Sequence, residues 1–475
     1  MLRRALFYSF SSNYFAMGIQ FVSVMIIARL LTPEEMGIFS IAASLIILAQ
    51  VFRDFGVGQY IIQEKELTDD RMRAAFSLTL ISGWLLAALI YLASPYLGKF
   101  YESEGITSVL QILAINFILL PFGATTMAFL RREMNFKARM YVNGVASIIR
   151  ATTTIVCVYQ GFSYLSLAYG ALAEAATTVV VSVLLRPAHL PWQPGIKELL
   201  HVFRSGWKLA VNTFMGFLSS NLTELMLGKL VSIQGVGYYS RANATINIFD
   251  KLITSSTKAV ALPYFSAEHR DGQDMGRNLT TATVYITALA WPFFAFVAYY
   301  SLGVLRLLYG DQWDFTAPVV SSLCVVAMLS FLSYFFDAFL VATGHPGKLI
   351  KAHIILIPVR VILILLLVDY GLSAIAIGFA LLPILKLFVV WPTINRYFGL
   401  RLGAYLGKMS INAAIAVTVF TGCWLVDVSL AQVVASDFIV MLCAAFTSFV
   451  LWFLGLVVFR HPLLVELRNL VDKVR

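Results

Sequence analysis

Apolar runs of membrane-crossing length follow one another along almost the whole chain, separated by short polar breaks. Continuous runs of about 20 residues are what an α-helix needs to cross a bilayer, whereas barrel strands read as ten-residue alternation. The pattern predicts fourteen helical spans, at about 9–31, 36–62, 74–98, 106–130, 139–159, 162–185, 206–229, 236–264, 280–305, 316–342, 350–368, 371–395, 404–427 and 436–459. The longest break, 186–205, holds Pro187, Pro191 and Pro194 and then a small amphipathic turn of Ile196, Leu199, Leu200 and Phe203. No break is large enough for an independent domain.

One span departs from the pattern. Residues 237–263 read GYYSRANATINIFDKLITSSTKAVALP, with Arg241, Asp250, Lys251 and Lys258 inside a segment of spanning length. A charge at the centre of a lone helix in lipid costs roughly 2.5–3.5 kcal/mol. Four such residues must face protein or a water-filled cavity, and the surplus of cations favours a cavity for an anion.

Composition supports the membrane reading: 60% of residues are hydrophobic, 13% are charged and the mean hydropathy is +0.82. Soluble domains run near 45–50% and about 25%. A formal net charge of +10 could point to nucleic acid, but the cations are placed as a topology signal. Of 35 Lys and Arg, 24 fall in the tails and loops on the side of the N-terminus and four (Arg29, Lys99, Lys229, Arg306) on the other. By the positive-inside rule both termini are cytoplasmic, which requires an even number of spans. The start, MLRRALFYSF, runs into an apolar stretch of spanning length, so the first span is expected to be its own insertion signal. Cys157, Cys324, Cys423 and Cys443 lie far apart in apolar segments and read as small buried hydrophobes, not as a disulfide framework or metal site.

Seven cations lie within spans: Arg53, Arg150, Arg241, Lys251, Lys258, Arg360 and Lys386. Five acids join them: Asp54, Glu174, Glu224, Asp250 and Asp337. The last two spans carry almost no charge; between Met409 and Phe459 only Asp427 and Asp437 appear. A weak internal repeat separates the other twelve into halves. Residues 29–40 read RLLTPEEMGIFS and residues 229–240 read KLVSIQGVGYYS, at an offset of 200. Both join the first and second span of a six-span block. Two such blocks share an orientation and are expected to be related by an axis along the membrane normal, with substrate near the midplane between them. The chain therefore divides into an N-lobe at 1–186, a connecting loop and C-lobe at 187–400, and two further spans with a tail at 401–475.

In span eight, Ser240, Asn243, Asn247, Lys251, Thr254 and Lys258 recur every three or four residues and form one polar stripe on a regular helix. Either Lys251 and Lys258 make a cationic ladder in a cavity, with Arg241 and Asn247 beside it, or they form ion pairs with Glu174, Glu224 or Asp337. Asp250 lies about 100° round and cannot simply neutralise Lys251, although Asn247 or Thr254 could orient it. Arg53 is either an anion ligand or the partner of an acid on another helix. Asp54, Asp250 and Glu174 are coupling-ion sites or counter-ions. Milder stripes (Ser9, Asn13, Gln20 and Ser23; Asn212, Gly216, Ser219 and Thr223) line a cavity or act as interhelical glue. Arg150, Arg360 and Lys386 are each alone in a span and are weaker candidates. No nucleotide loop, metal cluster or nucleophile triad is present in the sequence, so no cofactor is expected beyond coupling to H⁺ or Na⁺. The triplet at 54–56 and the segment 344–348 only mimic kinase and phosphate-loop motifs.

ARLLTPEEMGIFSIA followed by FRDFGVGQYIIQEKEL, then FLRREMNFKA, VGYYSRA, ALPYFSAEHRD, FLVATGHPGKLIK and RHPLLVELR, form an ordered set. It resembles the polysaccharide transporters, the O-antigen type lipid-linked oligosaccharide flippases of the multidrug/oligosaccharidyl-lipid/polysaccharide (MOP) exporter superfamily. The resemblance implies two six-helix lobes around a central cavity that opens alternately to each side, plus two C-terminal helices that form a lipid-tail groove in related flippases. The implied substrate is a glycan on a polyprenyl (pyro)phosphate, moved from the cytoplasmic to the outer leaflet of a bacterial inner membrane, alongside polymerase and export machinery. The alternative is a drug/cation antiporter of the same superfamily, whose cavity should be net acidic. A membrane glycosyltransferase would need a larger extramembrane loop.

Overall fold

The computed structural model describes residues 17–54, 56–188, 190–430 and 436–466, and the described residues contain helices and no strands. They divide into two compact units, Met1–Gly237 and Tyr238–Arg475. Ten described helices are long and apolar enough to cross a membrane, eleven counting one bent pair.

The first unit contains α1 (Met17–Leu30), α2 (Pro33–Asp54), α3 (Val57–Gln63), α4 (Asp69–Phe100), α5 (Glu104–Leu119), α6 (Pro121–Arg132), α7 (Phe136–Tyr159), α8 (Leu165–Leu184) and α9 (Leu199–Leu230). Here α4 packs along α5, α7 along α8, and α2 against α9 and α5. Two predicted spans prove to be broken. The span at 36–62 parts at Gly56, whose φ of 67° is open to glycine at no steric cost, and α3 starts a new helix there. The span at 106–130 bends by 57° at Pro121, which takes the first position of α6. The amphipathic turn expected before span seven is instead continuous with it in the 32-residue α9.

The 29–40 and 229–240 repeat reappears as structure. Helix α10 (Ile233–Phe249) starts 200 residues after α2. Thr32 and Glu35 form a reciprocal capping box at the start of α2, with Thr32 N–H donating to Glu35 Oε2 at 2.7 Å and Glu35 N–H to Thr32 Oγ1 at 3.3 Å. At the equivalent position of α10, Ser232 Oγ accepts from Gly235 N–H at 2.9 Å. The two helix starts cross with reciprocal contacts. A β-carbon added at Gly37 would lie 2.0 Å from the Ile233 carbonyl oxygen, and one at Gly237 would lie 1.9 Å from that of Pro33. Glycine at both places lets the two backbones touch.

In the second unit, α10 runs into a π-helical turn (Asp250–Thr254) and α11 (Ser255–Arg270). There follow α12 (Met275–Tyr299), α13 (Ser301–Tyr309), a 3₁₀ turn (Asp311–Thr316), α14 (Ala317–Phe331), α15 (Phe336–Ala342), α16 (Gly347–Leu367), α17 (Leu372–Gly378), α18 (Leu381–Phe398), α19 (Leu402–Leu430) and α20 (Asp437–Val458). The nearly charge-free α19 and α20 are held on α12 by neutral hydrogen bonds. Asn412 Nδ2 donates to the Val284 carbonyl at 2.9 Å and to Thr287 Oγ1 at 2.8 Å, and Trp452 Nε1 to the Ala288 carbonyl at 2.8 Å.

Candidate functional site

The end of α2 builds a cavity within the first unit. Because α2 stops at Asp54 and α3 begins after Gly56, Gln50, Val51 and Arg53 share the lining of a hollow of about 480 Å³ with Gly58, Gln59 and Ile61. Thr79 of α4 closes one wall, Thr125, Ala128 and Arg131 of α6 another, and Arg139 of α7 completes it. The Arg53 guanidinium lies 5.6 Å from the Phe117 ring centre, a cation–π contact that orients it without discharging it. Ser82 of α4 donates to the Arg53 carbonyl at 2.9 Å and fixes the last turn of α2. The side chain of Asp54 lies outside the described residues.

Below this cavity, the loop after α3 is held by Arg132, whose Nη1 donates to the Ile61 and Glu64 carbonyls at 2.7 and 2.5 Å. Arg71 Nη1 meets Glu64 Oε1 at 3.2 Å. Desolvation pushes the Glu64 carboxyl upward, but the Glu66 backbone N–H, Arg71, His201 and Tyr60 together hold it below the usual carboxylate range.

Two intramembrane charges of each sign are paired. Arg150 Nη1 meets Glu174 Oε2 at 2.7 Å across α7 and α8, and Lys386 Nζ meets Asp337 Oδ1 at 2.9 Å across α18 and α15. Glu174 thus sits as the counter-ion of Arg150. Glu224 accepts from Ser44 Oγ at 2.9 Å. Arg360 lies 5.4 Å from the Phe379 ring centre.

In the second unit, Arg241 is buried, its guanidinium 5.6 Å from the Tyr309 ring centre and 5.9 Å from that of Trp313. Both rings flank it at the corner of α10 and α13. Asn247 and Lys251 are both exposed on the unit's surface. Thr254, placed with them by a regular 3.6-residue period, is instead fully buried. The cause is the π turn at Asp250–Thr254, whose wider turn shifts the phase of the helix. Thr254 Oγ1 donates to the Asp250 carbonyl at 2.7 Å and to its carboxylate, and Tyr334 donates to the Thr254 carbonyl at 2.9 Å. Nothing in the period of the sequence signals the π turn. The side chains of Lys258, Asn212 and Ser219, and all of Ser9 and Asn13, lie outside the described residues.

The fold is shared with solved membrane transporters. The chain aligns over 97% of its length with 99% of a solved "Lipid II flippase MurJ, inward closed conformation" at TM-score 0.73 and 12% identity. An inward-facing multidrug resistance MATE family transporter of the MOP superfamily aligns over 82% of this chain and 94% of its own at TM-score 0.61 and 15% identity. The family model described as "Polysaccharide biosynthesis protein" matches residues 26–318, more than half of the chain, and the chain belongs to that family. Among curated proteins it is similar to the teichuronic acid biosynthesis protein TuaB of Bacillus subtilis, 22% identical over 83% of this chain and 80% of that one. It is also similar to the lipopolysaccharide biosynthesis protein WzxC of Escherichia coli, 21% identical over 66% and 64%.

Proposed function

We propose that the chain is a flippase that carries a polyprenyl (pyro)phosphate-linked oligosaccharide from the cytoplasmic to the outer leaflet for polysaccharide export. The observation that carries this reading is membership of the polysaccharide biosynthesis family over residues 26–318. The chemistry agrees: seven intramembrane cations stand against five acids, the balance wanted by an anionic head group and not by a cationic drug. The eleven long apolar spans support a fourteen-span reading in which α1, α9 and the α10–α11 pair also cross; an even number puts both termini on the cytoplasmic side. The lobes are 1–186 and 187–400, with 401–475 as the added pair and tail, and they rock about a central cavity in a bacterial inner membrane. Arg53, Lys251 and Lys258 contact the phosphate, with Arg241 and Asn247 nearby. Asp54 and Asp250 are the carboxylates for H⁺ or Na⁺ coupling. The protein works as a transporter and hands its substrate to a polymerase and export machinery.

The test is gene deletion with identification of lipid-linked intermediates by mass spectrometry. A lipid-linked oligosaccharide should accumulate on the cytoplasmic side and surface glycan should be lost, and wild-type but not Lys251→Glu should restore export. Undiminished export from the deletion strain would refute the function; full rescue by Lys251→Glu would remove that residue from the site. Efflux of cationic dyes by the purified protein in vesicles would instead favour the alternative reading, a drug/cation antiporter.

A further inference from the structure

A groove in the second unit opens beside the last described residues of the chain. Thr257, Val260 and Tyr264 of α11 and Tyr285 and Leu289 of α12 line a hollow of about 250 Å³. Its walls are mostly apolar, with the Tyr264 and Tyr285 side chains among them. Val260 is 63% exposed and Tyr264 42%, so the hollow lies open on one side. A convex apolar face meets lipid chains directly. A concave one leaves its lining short of contacts until something fills it.

The chain itself arrives at this groove. After α20 it turns at Arg460, whose φ is 47°, and helical backbone begins again at 462–466. Local chemistry specifies that start. Pro462 takes the first helical position, where no N–H is needed, and the buried His461 caps it, its Nδ1 accepting from Leu463 N–H at 3.2 Å. Leu463 and Leu464 then pack with Tyr285, Ala288 and Leu289 of α12. Tyr285 and Leu289 therefore touch this helix start and also line the groove. Glu466 is close enough to Tyr285 for electrostatic interaction. Residues 467–475 lie outside the described residues, but their sequence continues the pattern. Leu463, Leu467, Leu470, Val471 and Val474 recur at helical spacing, and Asn469 and Asp472 fall on the opposite face. Arg468 and Lys473 flank the apolar stripe. Across the groove, Glu268 interacts electrostatically with Tyr264 and accepts from Asn278 Nδ2 at 2.8 Å.

We infer that the groove between α11 and α12 is the docking site of residues 467–475 of the same chain. The helix begun at Pro462 continues over α12, sets Leu467, Leu470 and Val471 into the hollow, and keeps Arg468 and Lys473 at a rim that carries Glu268 and Glu466. Nine helical residues reach about 13 Å, more than the roughly 8–10 Å that separates packed helices. The segment thus covers apolar surface that membrane lipid would otherwise occupy. The docking stands on the second unit alone, so it holds or fails independently of the transport reading.

The test is photocrosslinking of the full-length protein in vesicles of phosphatidylethanolamine and phosphatidylglycerol. Tyr264→p-benzoylphenylalanine places the crosslinker on the groove wall, and Val260→p-benzoylphenylalanine gives the same readout from a more exposed position if the first variant folds poorly. On irradiation, adducts mapped by mass spectrometry should fall within 467–475. Leu470→Asp/Val471→Asp puts carboxylates on the apolar stripe and should cut that yield by about tenfold or more, since a charge taken from water without a partner costs at least that in occupancy. Asn469→Asp, on the opposite face, should leave it unchanged. Adducts with lipid alone would mark an open lipid groove and overturn the docking. So would adducts confined to other parts of the chain, or a yield undiminished in Leu470→Asp/Val471→Asp.

Discussion

The crossing of the two repeat motifs makes the sharpest prediction about the fold. Gly37→Ala and Gly237→Ala each place a methyl group about 1 Å inside the closest approach a carbon makes to a carbonyl oxygen, since the added β-carbons would lie at 2.0 and 1.9 Å. The neighbour in each case is backbone at the start of a helix, next to Pro33 or Ile233, and cannot rotate away. Overpacking of this kind costs about 1–3 kcal/mol, set against a helix-propensity gain near 1 kcal/mol for Gly→Ala. Each single variant should therefore be destabilised by up to about 2 kcal/mol. The double variant tests the reciprocity. Both clashes are relieved by one opening of the same crossing, so the second alanine should add little, and the double should sit near either single. Residues in contact are those for which additivity fails. The assay is denaturant titration of the purified protein in detergent, with hydrogen exchange at 33–41 and 233–237. Gly144→Ala and Gly407→Ala, where an added β-carbon meets nothing within 4 Å, are controls and should be neutral or mildly stabilising. Wild-type stability of Gly37→Ala, or strict additivity in the double, would refute the shared close approach.

Other expectations follow from the polar contacts. Arg150→Leu strands the Glu174 carboxyl in a membrane-spanning helix and should cost about 2.5–3.5 kcal/mol, whereas Arg150→Leu/Glu174→Leu should recover most of it; a double variant as unstable as the single would show that the pair is not the point. Asn412→Leu removes two of the hydrogen bonds that tie α19 to α12 and should loosen the terminal pair by about 1 kcal/mol, read as faster exchange in α19; unchanged exchange would count against it. The Glu64 carboxyl is held below its ordinary value, so its stabilisation is complete above the unfolded carboxylate range and is lost as pH falls through the lower, folded value. Protection at 61–71, with the intrinsic pH dependence of amide exchange divided out, should fall with acidification in the wild type and stay flat in Glu64→Gln; a flat wild-type profile would discard the network as a clamp.

The sequence made much of this legible, and the gaps have physical causes. Helix class and the order of spans follow from apolar run length, because a bilayer leaves the backbone few options. The repeat was visible through Leu30/Leu230, Gly37/Gly237 and Ser40/Ser240, and its meaning rests on glycine at one crossing. Span breaks at Gly56 and Pro121 were hidden by apolar residues on both sides, since hydropathy reads length and not direction. Pairing of Arg150 with Glu174 and of Lys386 with Asp337 needs knowledge of which helices are neighbours, which one sequence does not carry. The same limit hid Arg131 and Arg139, whose loop position looks like topology until α6 and α7 bring them beside Arg53.

The polar eighth span, finally, is tolerated by more than one device. Arg241 trades water for the faces of Tyr309 and Trp313. Asp250 turns inward on the helix itself, accepting from Thr254, and the π turn there leaves backbone bonding incomplete by a residue. The Tyr334 hydroxyl donates to the Thr254 carbonyl at 2.9 Å, at the end of the π turn. The turn is thus held from the connection between α14 and α15, at the very residues where the chain concentrates its charge. A regular helix would have carried Thr254 on the same face as Asn247 and Lys251. The π turn instead buries Thr254, while Asn247 and Lys251 stay on the surface of the second unit.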